Sequence, residues 1–202
     1  MPESWKRLAI DTATKYVYVS LVENDREIDR ILQQGNHDHS VTTIPLIAET
    51  LQKHDWKMTD LNEVIVGVGP GSYTGVRIGV SIAKMIGYLN RIKVSAVSSL
   101  ALIASASEAS LIIPMIDARR GNIFTAAFCQ ENNIMQYKVK DCLIDREKYL
   151  AGFTAEKYET IEEGTYMIEK IIRSRLLSPV ENIHELVPNY LQMTEAERNI
   201  RQ

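Results

Sequence analysis

The feature that most constrains the fold of this chain is a glycine-rich run over residues 67–79, which separates a strand pattern from a helix pattern. Residues 64–68 form a continuous apolar segment, which is typical of a strand buried on both faces. Residues 73–89 have helical periodicity. Because glycine permits positive φ angles and close backbone approach, and because Ser72 or Thr74 can cap a helix, the run predicts a tight strand-to-helix turn.

The same turn has a second interpretation as an anion site. Backbone N–H groups of such a loop and the N-terminus of the following helix can receive a phosphate. The spacing, however, fits neither GxxxxGK[ST] nor a GxGxxG run after the first strand, so we favour a turn shaped for packing. The residues of this signature turn are Gly67, Gly69, Pro70, Gly71, Ser72, Tyr73, Thr74, Gly75 and Arg77.

Strand and helix patterns alternate around this unit. Three short segments at the start of the chain predict an antiparallel meander, and a helix follows them. A meander followed by strand–helix alternation predicts an α/β domain with a mixed sheet. The other predicted strands cover residues 7–11, 16–22, 28–32 and 93–97, and the other predicted helices cover residues 39–54 and 99–106.

The second half of the chain repeats the opening pattern at a shift of 106 positions. Ile10 and Asp11 align with Ile116 and Asp117, and the shift holds without a gap for the next seventeen residues. A constant shift indicates internal duplication. We therefore predict two lobes, 1–108 and 109–202. The second lobe is reduced, because it has no counterpart of the glycine-rich unit, and it ends in a charged tail.

Asp11 and Asp117 end equivalent predicted strands and have two interpretations. In a duplicated actin-like ATPase, carboxylates at these positions handle magnesium and water. Alternatively, each aspartate caps its hairpin through an Asx turn, with Thr12 and Thr14 assisting around Asp11. We favour the capping interpretation and regard both aspartates as vestigial phosphate-loop carboxylates. An ATPase needs glycine-rich loops from its second half, and this sequence has no Gly-Gly pair.

Other patterns of catalytic or metal-binding residues are missing from the sequence. No two histidines have the i, i+4 spacing of a zinc face, the cysteines lack CxxC spacing, and no G-x-S-x-G elbow occurs. We predict no metal site, no catalytic residues and structural thiols, although unordered Ser-His-Asp or Cys-His arrangements stay open. The residues concerned are His37, His39, His54, His184, Cys129 and Cys142.

The charge of the chain argues against tight autonomous binding of nucleic acid. The net charge is -3 and no dense Lys/Arg run occurs, so few phosphates would be neutralised. If RNA is bound, we expect a partner to hold most of it, with Arg77, Arg119 and Arg120 as the direct contributors from this chain. No apolar run approaches the ~18 residues of a membrane span, and we expect a cytoplasmic protein.

The helix predicted to follow the signature turn has two apolar faces. A bulky face suits the sheet of the same lobe, whereas small residues on the other let a second helix approach closely. Periodicity does not decide whether that second helix belongs to the same chain or to a partner. Leu46 and Pro45 of the first helix extend the small face. The bulky face comprises Ile78, Ile82, Met85, Ile86 and Leu89, and the small face comprises Val76, Gly79, Val80, Ala83 and Gly87.

Motifs across nearly the whole chain resemble those of the TsaB (YeaZ) family. Residues 67–79 resemble its GxGPGSFTGxRxG signature, with Tyr73 at the aromatic position. Residues 8–12 resemble its opening strand, and residues 116–120 resemble its second-lobe IDARR strand. Further similar positions are His39, Ser40 and Pro45 of the first helix and residues 188–197 of the closing segment, where Gln192 replaces the usual arginine.

This resemblance implies an ASKHA fold (actin-like ATPase, ribonuclease H-like) and a pseudoenzyme paralogue of the catalytic subunit TsaD. It implies a scaffold in a complex with TsaD and the ATPase TsaE. There TsaD transfers a threonylcarbamoyl group from its adenylate to the adenosine beside the anticodon, in tRNAs that read codons beginning with A. The chain is implied to meet tRNA as part of this complex. No tightly bound cofactor is implied, and a nucleotide at the partner interface and a homodimer of the isolated chain stay open.

The resemblance also favours a partner over the chain's own first helix for the small face, because the family pairs through first-lobe helices. The implied partner interface consists of Leu46, Val76, Gly79, Val80, Ala83 and Gly87. Two competing functions, a glycoprotease-type metallopeptidase and a small ATP-dependent kinase, lack their metal face and their second-lobe loops respectively. An additional chaperone or adaptor role stays open.

Overall fold

A computed structural model describes residues 4–35 and 39–191. The strands in this part of the chain are β1 (Lys6–Asp11), β2 (Tyr16–Glu23), β3 (Arg26–Gln34), β4 (Glu63–Gly67), β5 (Lys93–Val97), β6 (Leu111–Asp117), β7 (Asn122–Glu131), β8 (Ile134–Asp145), β9 (Glu159–Ile161) and β10 (Ser178–Pro179). The α-helices are α1 (His39–Lys53), α2 (Tyr73–Asn90), α3 (Ser99–Ala104), α4 (Arg146–Ala151) and α5 (Ile168–Arg173).

The first sheet has the strand order β10-β5-β4-β1-β2-β3. Strands β1, β2 and β3 form the predicted antiparallel meander, while β1, β4 and β5 run parallel to one another. All five residues of β4 are buried, as expected for an apolar strand at the centre of a sheet. The predicted mixed α/β sheet is thus confirmed, and it places the C-terminal ends of β1 and β4 side by side.

The second sheet repeats the meander in β6, β7 and β8, and β9 pairs parallel to β6, giving the order β8-β7-β6-β9. Helical patterns in the second half also predict helices over residues 146–150 and 166–176. Both are present, as α4 (Arg146–Ala151) and as the shorter α5 (Ile168–Arg173). The last part of the predicted second lobe returns to the first sheet, where β10 pairs with β5. The boundary near residue 108 stays a prediction.

Buried apolar residues form one cluster between the first sheet and helices α1 and α2. A second cluster contains α3 and α5 and joins the two sheets, for example through Tyr18, Ile112 and Phe128, which are all fully buried. Burying apolar surface on both faces of the first sheet is the main stabilising contribution to such a layered fold. Among the described helices, none is both long enough and apolar enough to cross a membrane.

The predicted apolar stripe of helix α1 is confirmed in part. Of its residues Val41, Ile44, Ile47, Ala48 and Leu51, Ile47 and Leu51 are buried as predicted, at 2% and 4% exposed. Val41 is instead 67% exposed, Ile44 is 48% exposed, and Ala48 is also exposed. Thr43 and Thr50 are buried instead, and their hydroxyls donate to the carbonyl oxygens four residues earlier, at 2.6 Å in each case. A threonine whose hydroxyl is bonded within its own helix can face the core beside Ile47 and Leu51, which leaves Val41, Ile44 and Ala48 on the outer side.

Candidate functional site

A cleft of about 830 Å³ lies where the ends of β1 and β6 face the signature turn. One wall comes from the residues after β1 and from the starts of α1 and α2, and the other comes from the end of β6 and the turn that follows it. The residues lining it are Ala13, Thr14, Lys15, Gly35, His39, Ser40, Gly71, Ser72, Tyr73, Thr74, Gly75, Ile78, Ile116, Asp117, Ala118, Arg119 and Phe124.

The signature turn is fixed by contacts with its own chain. The Ser72 amide donates to the Ala13 carbonyl oxygen at 2.7 Å, and the Gly69 amide donates to the Ser99 hydroxyl at 3.1 Å. Gly69 has a φ of 90°, a conformation that favours glycine. Ser72 caps α2 by accepting from the Gly75 amide. Because these amides already have partners, the geometry supports the packing interpretation over an anion site.

Thr12 fastens the start of α2 to the end of β1. Its hydroxyl donates to the Gly75 carbonyl oxygen at 2.6 Å and accepts from the Gly79 amide at 3.0 Å. A Cβ atom on Gly75 would lie 2.1 Å from the carbonyl oxygen of Thr12, so only glycine allows this approach. Thr12 was predicted to assist Asp11, and its observed partners are instead in the helix.

Asp11 is buried beneath the signature turn. Its Oδ1 atom accepts from the Ala13 amide at 2.6 Å, as the Asx-turn interpretation predicts, while Oδ2 has no hydrogen bond of normal geometry among the described residues. A Cβ atom on Gly67 would lie 2.2 Å from Oδ2. Burial raises the pKa of Asp11 to about 6, against the opposing effects of the Ser99 hydroxyl, the Ala13 amide and His39.

Asp117 makes the equivalent turn at the surface. Its Oδ1 atom accepts from the Arg119 amide at 2.8 Å, and the residue is exposed. The next two residues, Arg119 and Arg120, have φ angles of 68° and 55° and are also exposed. The two aspartates therefore share a local hydrogen bond but not an environment, and only Asp117 lines the cleft.

The small face of α2, which the family resemblance assigns to a partner, is covered by the chain itself, so this assignment is wrong in its choice of face. Ala83 is 0% exposed, Val80 3% and Val76 2%, and Gly79 and Gly87 are also buried. Gly79 lies against Thr12 and Val66, and Gly87 lies against Val94 and Ile183. Leu46 is half-buried and packs on the same core. Small residues allow this helix to approach its own sheet closely, which periodicity alone could not distinguish from approach to a partner.

Bulky apolar residues of α1 and α2 lie at the surface instead. Met85 is 45% exposed and Leu89 70% exposed, although both were predicted to face the sheet. The two helices pack against each other. This exposed apolar face consists of Val41, Ile44, Ala48, Met85 and Leu89.

The C-terminal segment, residues 183–190, covers the polar sector of α2, and sequence analysis missed this contact. The Lys84 ammonium donates to the carbonyl oxygens of His184 and Leu186 at 3.0 and 3.2 Å. The Arg77 guanidinium donates to the Tyr190 hydroxyl at 2.8 Å. It also lies 4.4 Å from the centre of the Tyr73 ring. No local pattern predicts a contact between residues about a hundred positions apart. The one sequence signal for this segment was its resemblance to the closing segment of the family.

The histidines and cysteines do not form a cluster in the described part of the chain. Within residues 4–35 and 39–191, no group of three or more His, Cys, Asp or Glu side chains could hold a metal ion. His39 Nε2 lies 3.0 Å from the Thr14 carbonyl oxygen, and His54 Nε2 lies 2.8 Å from Asp29 Oδ2. Cys129 and Cys142 are both free thiols. His37, Gln192 and the remainder of the closing motif lie outside the described residues.

Comparison with known proteins identifies relatives over nearly the whole chain. Residues 33–197 match a family model described as TsaD: tRNA N6-adenosine threonylcarbamoyltransferase. The tRNA threonylcarbamoyladenosine biosynthesis protein TsaB of Bacillus subtilis (strain 168) is 33% identical, with coverage of 94% of this chain and 95% of that protein. The protein of the same name from Escherichia coli (strain K12) is 32% identical over 62% of this chain and 56% of its own length.

Solved structures support the same fold. YeaZ from Pseudomonas aeruginosa superposes with a TM-score of 0.79, covering 93% of this chain and 100% of that one, at 19% sequence identity. At that identity the likeness concerns the fold alone, and it agrees with an ASKHA-type arrangement of two mixed sheets.

Proposed function

The chain belongs to the TsaB (YeaZ) family and takes part in threonylcarbamoyladenosine biosynthesis, and on that premise we propose that it is the non-catalytic scaffold subunit of a tRNA N6-adenosine threonylcarbamoyltransferase complex. In this proposal its partners are the catalytic paralogue TsaD and the ATPase TsaE, and tRNA is reached through the complex in the cytoplasm. The modified adenosine lies next to the anticodon of tRNAs that read codons beginning with A. The role needs no tightly bound cofactor.

The observation that carries the proposal is the exposed apolar face on α1 and α2. Val41, Ile44, Met85 and Leu89 are each 45% exposed or more, on two helices that pack against each other. Several large apolar side chains exposed on a packed pair of helices indicate an interaction site. We assign the face to the catalytic paralogue, because a related subunit can present the same pair of helices and form a four-helix contact.

The two aspartates support a non-catalytic role. Asp11 is buried beneath the signature turn and Asp117 is exposed at the surface, so they do not share one site in the cleft. A paired magnesium or proton-transfer site needs carboxylates that face the same reacting group. We therefore expect the purified wild-type chain to show neither ATP hydrolysis nor proteolysis. The variants Asp11→Ala and Asp117→Ala should likewise show neither activity.

The partner face can be tested with Leu89→Glu combined with Ile44→Glu. A charge at each exposed position should leave the fold intact, because neither side chain is in the core, and should weaken binding to TsaD more than a hundredfold. The matched control is Ile134→Glu, which changes a residue of similar exposure, 41%, at the far end of the second sheet. Calorimetric titration with TsaD measures the affinity, and circular dichroism checks the fold.

Undiminished TsaD affinity of the double variant would contradict this assignment. The variants Ala83→Arg and Val80→Glu, which the sequence-based interface would select, are unsuitable because both side chains are buried. Depletion of the chain should abolish threonylcarbamoyladenosine in tRNA measured by mass spectrometry. Re-expression of the wild-type chain or of Ile134→Glu should restore it, and the double variant should not.

A further inference from the structure

Two consecutive arginines occupy a backbone conformation that their side chains do not favour. Arg119 and Arg120 have φ angles of 68° and 55° in the turn between β6 and β7, followed by Gly121 at 78°. Left-handed backbone is unfavourable for residues with a Cβ atom, with asparagine and aspartate the best tolerated after glycine. Arginine has no short polar group with which to compensate locally.

Two other hairpin turns contain left-handed residues, and both follow this preference, so the arginine turn is an exception among them. The remaining left-handed arginines, Arg91 and Arg175, lie at the ends of helices. The turn between β2 and β3 and the turn between β7 and β8 each contain two left-handed residues, and in both turns these residues are asparagine or aspartate. Strained backbone of this kind is concentrated at functional sites. The pairs compared are Asn24 and Asp25, with φ angles of 49° and 66°, and Asn132 and Asn133, with φ angles of 51° and 60°.

The two guanidinium groups have no observed role in folding. In the part of the chain that the structure describes, the hydrogen bonds of Arg119 and Arg120 involve their backbone atoms, with Asp117 and Asn122 as partners. Some other arginines do contribute to the fold; for example, Arg7 pairs with Glu63 and Asp25. The arginine turn is thus exposed, positively charged and available to a ligand.

The surroundings of the turn favour an anion. Arg119 lines the cleft near the N-terminal residues of α2, whose backbone dipoles present partial positive charge. Lys15 also lines the cleft, but its ammonium already forms an ion pair with Glu163, so Arg119 supplies the uncompensated charge there. The neighbouring carboxylates of Asp117 and Asp145 each accept a hydrogen bond from a backbone amide, at 2.8 and 3.0 Å. Guanidinium groups match phosphate oxygens in geometry and charge.

We propose that the turn formed by Arg119 and Arg120 binds phosphate groups of the tRNA backbone in the assembled complex. This inference rests on the proposed function, since the chain as a whole carries a net charge of -3 and two arginines do not hold tRNA alone. The partner supplies most of the tRNA binding, and the turn adds one local contact to it. The same chemistry suits the phosphates of a free nucleotide, and the experiment separates the two sources.

The test replaces both arginines with asparagine, the residue that the neighbouring hairpin uses. Relief of strain should raise the melting temperature of the isolated chain by about 2–4 °C. Loss of two phosphate contacts should weaken tRNA binding by the complex with TsaD about tenfold and reduce the slope of log affinity against log salt by about 2. A variant that is more stable and binds RNA less well cannot be explained by misfolding.

The matched control is Arg175→Asn, which also removes an exposed arginine with a positive φ, 53°. Its neighbour Ser174 accepts a hydrogen bond from the amide of Met135 in β8. Met135 pairs with Gln130 at the end of β7 opposite to the arginine turn, about 30 Å away along that strand. The control should gain stability and keep the wild-type tRNA affinity and salt slope.

Three results would overturn the inference. One is unchanged tRNA affinity and salt slope in the double variant; another is an equal loss in Arg175→Asn, which would indicate a general effect of charge. The third is loss of ATP binding by the isolated double variant with tRNA binding retained, which would assign the turn to a free nucleotide. If the wild-type chain forms no tRNA-binding complex with TsaD, the proposed function fails and this inference fails with it.

Discussion

The strand ends at Asp11 and Asp117 show how the two halves of this chain differ. Each aspartate accepts a hydrogen bond from the amide two residues later, at 2.6 Å in the first half and 2.8 Å in the second. Asp11 is 1% exposed under the signature turn, whereas Asp117 is at the surface. Thr12, which binds α2, corresponds to Ala118 at the shift of 106. The repeat thus retained the local turn, while the packing that buries it depends on a helix present in the first half alone.

The largest effect that would sharpen this comparison comes from Gly75→Ala. The added methyl group would lie 2.1 Å from the Thr12 carbonyl oxygen, so α2 would have to move away from β1. We expect the free energy of unfolding to fall by more than about 3 kcal/mol, or folding to fail. Gly152→Ala is the counterpart in the second half, where the nearest atom is the Tyr149 carbonyl oxygen at 3.3 Å and φ is -71°.

Urea unfolding of the two variants measures this difference. Gly152→Ala should change the free energy of unfolding by less than about 1 kcal/mol, because its backbone already has a conformation that alanine favours. Similar losses in both variants would show that the close helix–strand approach is not the reason for the glycine at position 75.

A second prediction concerns the pH dependence of stability. The pKa of Asp11 is raised from 3.8 to about 6, so the folded state binds this proton more tightly than the unfolded state. The carboxyl therefore leaves stability unaffected below pH 3.8, destabilises increasingly from 3.8 to about 6, and has a constant effect above that. Asp11→Asn removes this titration, so its stability relative to wild type should rise by roughly 2–3 kcal/mol across the window.

The pH series is measured by denaturant unfolding between pH 4 and pH 7. Asp117→Asn is the matched control, because it makes the same substitution at the exposed aspartate of the second half. If wild type and Asp11→Asn keep a constant stability difference through this range, burial does not raise the pKa of Asp11.

The smallest of the three effects is expected from the exchange of Thr12 and Ala118. Thr12→Val keeps the shape of the side chain but removes the hydrogen bonds to Gly75 and Gly79, and should cost about 1–2 kcal/mol. Ala118→Thr adds the hydroxyl at the equivalent half-buried position, where no helix follows, and should be nearly neutral. A stabilising Ala118→Thr would mean that the second half still provides partners for this hydroxyl.

The sequence repeat correctly predicted a second antiparallel hairpin, but it did not predict the pairing register of that hairpin. The gapless shift of 106 aligns Tyr18 with Phe124, yet Asp11 pairs with Tyr18 whereas Asp117 pairs with Ile123. The second hairpin is therefore tighter by one residue, as the left-handed Arg119 and Arg120 turn allows. Turn conformation determines hairpin register, and arginines give no sequence signal for it.

By itself, the sequence determined the order of elements in the first half, the duplicated meander, the tight turn before α2 and the family. These features depend on local periodicity, on glycine conformations and on specific motifs, which are readable without contacts. Only the tertiary structure decided which faces of α1 and α2 are exposed to solvent. Small residues, and threonines such as Thr43 whose hydroxyl is bonded within its own helix, pack against a sheet as readily as against a partner. The tertiary structure also decided that residues 183–190 return to cover α2, and that Asp11 is buried while Asp117 is not. Burial is a property of contacts between distant segments, and no local pattern encodes it.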